Sequence, residues 1–329
     1  MEDPSHKKEA SPYDFIAITW VGSTNTFSHP SHPLHRTSSI PTVISPVEKL
    51  PLAVCKNVRD GFESKRADLE KELSDLLGVA WIIEVNPNAI WVYFGALWKL
   101  KYFLNDNGHG REGKDEINTL CPNHVLTMEM DEEGKVRYCG CDVRDRYLRI
   151  LFQDTCLGSN IDYALTDLED ALSAVSPAGY LSYSVCHSIK QDWDKDFSEL
   201  KAKIAKQLAN AIVLDPNWEQ VHAALEAEPC VKEDREGWEK RFGSFVKSCF
   251  EALAYTLAYN EFETDNLLRE GFEEAVSKNE IRFRIVKELT GGAYYNQTVI
   301  EDGVLYLQTV PQSWGVNVDQ VASKIADVL

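Results

Sequence analysis

The sequence predicts an α/β protein built on a mostly parallel sheet, with duplicated βαβ units and inserted β-hairpins. Three observations lead there. First, the apolar run Asp14 to Gly22 is followed by an amphipathic helix pattern and then by Ala80 to Asn88, and Gly179 to His187 is followed in the same way by Ala211 to Asn217. Second, both units close on a shared signature, Val85-Asn-Pro-Asn88 and Leu214-Asp-Pro-Asn217. A strand, a crossover helix and a second strand make a βαβ unit, whose strands run parallel because the helix carries the chain back. Third, strand and helix patterns alternate to the end of the chain. The expected organisation is a polar stretch over 1–13, a first βαβ unit over 14–104, a hairpin insertion over 105–160, and a second βαβ unit with a C-terminal α/β extension over 161–329.

Each element has a local reason. Residues 1–13 are polar and carry no apolar period, which predicts disorder. His29 to Pro51 holds five prolines among serines and threonines, so a loop is expected. Phe62, Leu69, Leu73, Leu76 and Leu77 then form one apolar stripe, and Gly78 follows as the stop. Asn105 to Asn118 is charged and glycine-containing, which reads as a surface insertion. Val125 to Met130 and Lys135 to Cys139 flank Asp131-Glu-Glu-Gly134, a hairpin signal. Phe197, Leu200, Ile204 and Leu208 recur at helical spacing, as do Phe245, Cys249, Leu253 and Leu257. A helix over Asn266 to Ser277, strands over Ile281 to Val286 and Val304 to Thr309, and a last helix capped by Asp319 complete the reading.

Composition bounds the function. The chain has 329 residues and a net charge of −18, which favours solubility and opposes nonspecific binding to nucleic acid. No apolar run approaches the roughly 20 residues of a membrane span, and the start has no signal-peptide core, so a cytoplasmic protein without a membrane partner is expected. Eight cysteines without a small-domain spacing fit reduced thiols. No P-loop, no Gly-x-Gly-x-x-Gly and no His-Glu-x-x-His is present, which disfavours nucleotide or nicotinamide chemistry.

Three clusters could carry chemistry. Cys121 and His124, followed by Cys139 and Cys141 across the expected hairpin, offer a Cys₃His set for structural zinc; buried free thiols are the alternative. His29, His32 and His35 are spaced by three, but a proline-rich coil does not make their rings converge. Cys186 and His187 are adjacent, and in a strand adjacent side chains point to opposite faces, so Cys186 toward the core and His187 at the strand end is the simpler expectation.

The loop after the first strand, Gly22-Ser-Thr-Asn-Thr-Phe-Ser28, places Ser23 just past a buried strand, where turn N–H groups stabilise an oxyanion. This segment resembles the Gly-x-Ser-x-x-Asn-Ser-x-Phe-Ser stretch of the tRNA-dependent cyclodipeptide synthases, which have a Rossmann-like fold. Its Gly-to-Ser and Ser-to-Asn spacings are each one residue shorter. The family's Tyr-x-x-x-Glu pair is reproduced by Tyr259 and Glu263, without the proline that usually follows. The resemblance implies Ser23 as an acyl-accepting nucleophile, Tyr259 and Glu263 as its catalytic partners, Asn25 and either Tyr294 or Tyr295 as substrate contacts, and an aminoacyl-tRNA as donor; the crowded basic residues Lys135, Arg137, Arg144, Arg146 and Arg149 offer a local face for it, with Arg144 and Arg146 as phosphate contacts. No cofactor is required by that chemistry. On one helix, Tyr259 and Glu263 would share a face. The expectation is a serine-based acyl-transfer enzyme that forms amide bonds; the alternative is a non-enzymatic interaction or scaffold protein with a zinc-bound hairpin.

Overall fold

The computed structural model describes residues 63–84, 90–153, 160–177, 180–232 and 237–329, together with Lys56, Asp60 and Cys156, all within one unit spanning Leu50–Leu329. The expected strand Phe15 to Val21, Ser23, Asn25 and the histidines of the proline-rich loop lie outside the described residues.

A module is built twice. The first runs α1 (Ser64–Leu77), β1 (Ile82–Ile83), α2 (Ile90–Asn105), α3 (Gly110–Leu120), β2 (Val125–Met130), β3 (Cys139–Arg144), β4 (Tyr147–Phe152) and α4 (Leu168–Ser173). A connector comes next, α5 (Tyr183–Ser188) continued by a π-helical stretch over Ile189–Asp194. The second runs α6 (Phe197–Leu208), β5 (Val213–Asp215), α7 (Trp218–Glu226), α8 (Pro229–Lys232), α9 (Phe242–Tyr259), α10 (Asn266–Ala275), β6 (Glu280–Ile285), β7 (Asn296–Glu301), β8 (Val304–Thr309) and α11 (Ile325–Val328). The sheets have the same order, β1-β2-β4-β3 and β5-β6-β8-β7. In each, three strands are parallel and the fourth is antiparallel at one edge.

Backbone conformation repeats with the topology. Left-handed residues stand at Gly78 and Ala209 after the first helix, at His124 and Asn279 before the central strand, and at Asp145-Arg146 and Asp302-Gly303 in the hairpin turns. Two successive left-handed residues match the twist of the flanking strands, as in a type I′ turn. Eight residues past each hairpin, left-handed Asn160 and Asn317 open a 3₁₀ turn. These two turns are alike in sequence: Asn160-Ile-Asp and Asn317-Val-Asp, then Ala164, Leu165 and Leu168 matched by Val321, Ala322 and Ile325, all six buried.

The amphipathic patterns fold as expected where one apolar stripe suffices. Leu69, Leu73 and Leu77 bury one face of α1, and Leu200, Ile204 and Leu208 bury the corresponding face of α6. Gly78 closes α1 in the left-handed conformation, donating its N–H to the Ser74 carbonyl at 2.8 Å. Asn118 fastens the first module, accepting from the Trp81 indole N–H at 3.0 Å and donating to the Leu77 carbonyl at 2.9 Å. Replacing Asn118 by alanine strips a buried indole of its acceptor, and we expect a loss of about 1–2 kcal/mol, measured as the shift of the urea midpoint.

Four expectations are corrected. Tyr180 to Val185 is no strand: Ser182 accepts the Val185 N–H and caps α5, so the second βαβ unit does not begin there. Instead Val213–Asp215 is the first strand of its parallel crossover, with Glu280–Ile285 as the second, just as Ile82–Ile83 crosses over to Val125–Met130. Asn105 to Asn118 is not an open insertion but leads into α3, whose Gly113 and Ile117 face the core. The hairpin lies one strand later than expected: Val125–Met130 pairs parallel with β4, and it is Cys139–Arg144 that turns back through Asp145-Arg146. The last helix is a 3₁₀ turn over Val318–Gln320 followed by α11, with Asn317 rather than Asp319 at the cap.

The apolar residues fall into two separate cores, one for each module. The first extends to Tyr183 and the second begins at Val185, so the division falls inside α5. The joint between modules is polar, with ion pairs Glu112–Lys190 at 2.6 Å and Asp170–Lys240 at 2.7 Å and a Ser173–Ser184 hydrogen bond at 2.8 Å.

Candidate functional site

The long helices α2 and α9 occupy corresponding places, each between the short strand and the helix that precedes the central strand. Each needs its apolar face for its own core, through Leu97, Leu100 and Leu104 or through Val246, Leu253 and Leu257. Each nonetheless carries two large aromatic side chains on the face turned to solvent. Trp98 and Tyr102 are 55% and 42% exposed and stack at 6.0 Å with 13° between planes. Tyr255 and Tyr259 are 71% and 75% exposed and stack at 6.2 Å with 19° between planes. The four-residue spacing puts each pair one above the other on the helix surface.

Beside the second pair runs a groove of about 570 Å³ between α6 and α9, with Asp196, Glu199, Lys203 and Lys206 on one side and Glu251 and Tyr255 on the other. The first module has a groove of about 500 Å³ on the corresponding helix, lined by Asp68, Lys71, Glu72 and Asp75 of α1, Lys101 of α2 and Lys114 of α3. Many of these charges are tied to one another. Lys203 meets Glu199 at 2.8 Å, and Lys247 meets Asp196 at 2.5 Å, which holds the Asp196 carboxyl below its usual range.

The residues singled out by sequence are spread over this framework. Tyr259 is the last residue of α9, and Glu261 turns left-handed at φ 57°, so Glu263 leaves the helix and shares no helical face with Tyr259. Its carboxylate pairs instead with Lys206 of α6 at 3.0 Å. Tyr294 and Tyr295 precede β7; Tyr294 is exposed, and the Tyr295 carbonyl accepts the Thr309 hydroxyl at 2.8 Å. Arg144 ends β3 and pairs with Glu133 at 3.2 Å, while Arg146 forms the hairpin turn. Tyr259, the Tyr294–Tyr295 pair and the two arginines therefore belong to three different elements.

Cys121 lies buried at the end of α3, and Cys139 and Cys141 lie buried on β3. Burial pushes the Cys121 thiol up to about 12. It also pushes the Cys141 thiol up, with the nearby Asp167 and Asp142 carboxylates adding to the effect. The Cys139 thiol donates to the Asn160 carbonyl at 3.0 Å. His124 occupies a left-handed turn with its ring against Trp81. Among the described residues no group of three His, Cys, Asp or Glu side chains is arranged to hold a metal ion.

Cys186 and His187 exchange their expected surroundings because α5 is a helix: Cys186 is exposed, and the His187 ring stacks on His109 at 4.0 Å. Sequence reasoning also misses the aromatic pairs. Trp98-x-x-x-Tyr102 and Tyr255-x-x-x-Tyr259 are visible as spacings, but only the choice of core face shows that they point outward.

No family model, no curated protein and no solved structure matches the chain. Fold and site define a two-module α/β protein with two mostly parallel four-stranded sheets and a pair of exposed aromatic stacks. Among the described residues no helix is long and apolar enough to cross a membrane.

Proposed function

We propose that this chain is an interaction protein that binds a basic polypeptide segment, with the stacked aromatic pairs of its two modules as the contact points. The observation that carries this reading is the recurrence of an exposed, stacked aromatic pair on the corresponding helix of both modules. A large aromatic residue left in water has a cost, and exposed aromatics concentrate at binding surfaces. The electron-rich faces of Trp and Tyr attract Lys and Arg side chains, and a chain of net charge −18 steers a cationic partner toward itself. Two such pairs on one chain make engagement bivalent, so modest affinity at each is amplified when one partner spans both.

The test is calorimetric titration with a Lys/Arg-rich peptide long enough to reach both pairs, beside an acidic peptide of equal length. The basic peptide is expected to bind and to weaken as salt rises. The Tyr255→Ala/Tyr259→Ala variant, whose net charge is unchanged, is expected to bind about 5- to 30-fold more weakly, as the loss of about 1–2 kcal/mol of cation–π contact requires. Equal binding by this variant, or equal binding of the acidic peptide, would falsify the reading.

A further inference from the structure

The joint between the modules contains a buried group that the binding surface does not use. His109, at the start of α3, is 4% exposed. Its ring lies between Phe103 of α2, at 3.8 Å and 11°, and His187 of the connector, at 4.0 Å and 20°. Its Nδ1 shares a 2.8 Å hydrogen bond with the Tyr183 hydroxyl. Two imidazoles stacked this closely in a poorly solvated site repel one another if both are charged. His187 belongs to the stretch of chain where the second core begins, whereas His109, Phe103 and Tyr183 belong to the first module's side of the joint.

The charged surroundings are few and largely committed. From α3, Glu112 lies 3.9 Å from His187 and is held by Lys190 of the connector at 2.6 Å, and burial raises the Glu116 carboxyl. From α4, Glu169 stands 3.8 Å from His109 Nε2, and Asp170 pairs with Lys240. Lys240, in the turn before α9, also reaches Glu169 at 4.0 Å and adds positive charge beside the imidazole. Tyr183 of α5 is kept neutral by burial, which together with Glu169 and Glu112 raises its hydroxyl. Burial first, then His187 and Lys240, push His109 down to about 3.

We infer that the joint is an acid-released latch: the His109 ring, stacked on His187, holds α3 against the connector while it is neutral, and its protonation parts the two modules with their separate cores intact. The sign comes from linkage. A closed joint in which His109 protonates far below its ordinary value of 6.5 is favoured above that value, and the advantage is lost as the pH falls from there toward about 3, because the open form takes up the proton first. This inference is independent of what the aromatic pairs bind.

Hydrogen exchange of the full chain, read by mass spectrometry and corrected for the intrinsic pH dependence of exchange, tests it. Peptides over 110–120 and 183–194 are expected to lose protection by about thirty-fold between pH 7.5 and pH 5, the factor for one ring going from excluded to free. Peptides over the central strands 126–130 and 281–285 are expected to keep theirs. His109→Gln retains a hydrogen-bonding partner for Tyr183 but cannot be protonated, and should flatten the acid response of the joint. A second measurement does not depend on that variant folding: an NMR titration of wild-type imidazole signals should show His109 still neutral at pH 5.5. Joint and strands losing protection together, an undiminished acid response in His109→Gln, or an imidazole of His109 titrating near 6.5 would each overturn the latch.

Discussion

Replacing Phe242 by alanine is expected to destabilise the second module by about 3–5 kcal/mol. Phe242 opens α9 and is fully buried, with ring centroids 5.5 Å from Trp218, 5.6 Å from Trp314, 6.0 Å from Trp238 and 6.1 Å from His222. Those neighbours come from α7, the loop after β8 and the turn before α9, so no single one of them can move to fill the space. Aromatic pairs also contribute beyond their buried area. Urea unfolding followed by the fluorescence of this tryptophan cluster measures the loss. A change below about 1 kcal/mol would mean that the cluster can collapse around the missing ring.

Gly243→Ala is expected to cost about 1–3 kcal/mol, against the ordinary preference of helices for alanine. A Cβ at Gly243 would clash with the Ser188 carbonyl oxygen, and would lie 2.7 Å from its carbon and 2.8 Å from the Ile189 Cα. These are backbone atoms of the connector and have no rotamer by which to retreat. The Gly243 N–H also donates to Ser188 Oγ at 2.9 Å, so α9 is seated on the connector by contact and by hydrogen bond. Gly271→Ala in α10 supplies the control. There a Cβ meets only the Leu329 Cβ at 3.8 Å, and the substitution should stabilise by about 0.5–1 kcal/mol. If both variants shift the urea midpoint in the same direction, the close approach of α9 to the connector is not what sets the outcome at Gly243.

The candidate sites are only partly legible in sequence. Tyr259 and Glu263 have the spacing of neighbours on a helix, but α9 stops between them, and the left-handed Glu261 carries no unusual residue type to announce it. His109 has no motif at all. It acquires its character from a residue 78 positions later, His187, and such a pairing exists only once α3 and the connector pack. The repeat is legible through Val85-Asn-Pro-Asn88 and Leu214-Asp-Pro-Asn217. Its second marker, Asn160-Ile-Asp and Asn317-Val-Asp, gains meaning only from standing at equal distance from the two hairpins.

By itself the sequence determined the elements whose physics is local: the leucine stripe of α1 with Gly78 as its stop, the buried stripes of α6 and α9, and the strands β2, β6 and β8. Period, propensity and capping act within a few residues, and these segments satisfy all three together. It also pointed to an α/β fold and to a repeat through its shared Asn/Asp-Pro-Asn signature, although the second unit it drew opens on what is helix α5 and not a strand. Tertiary structure alone decided which strands pair, since Val125–Met130 could be satisfied equally by a near neighbour or by β4. It decided that Tyr183–Ser188 is helical, because a short apolar run fits strand or helix and burial between two cores selects one. It decided, too, which aromatic residues face water. Those outcomes depend on packing between residues far apart in the chain, where a short-range pattern carries no information about the partner.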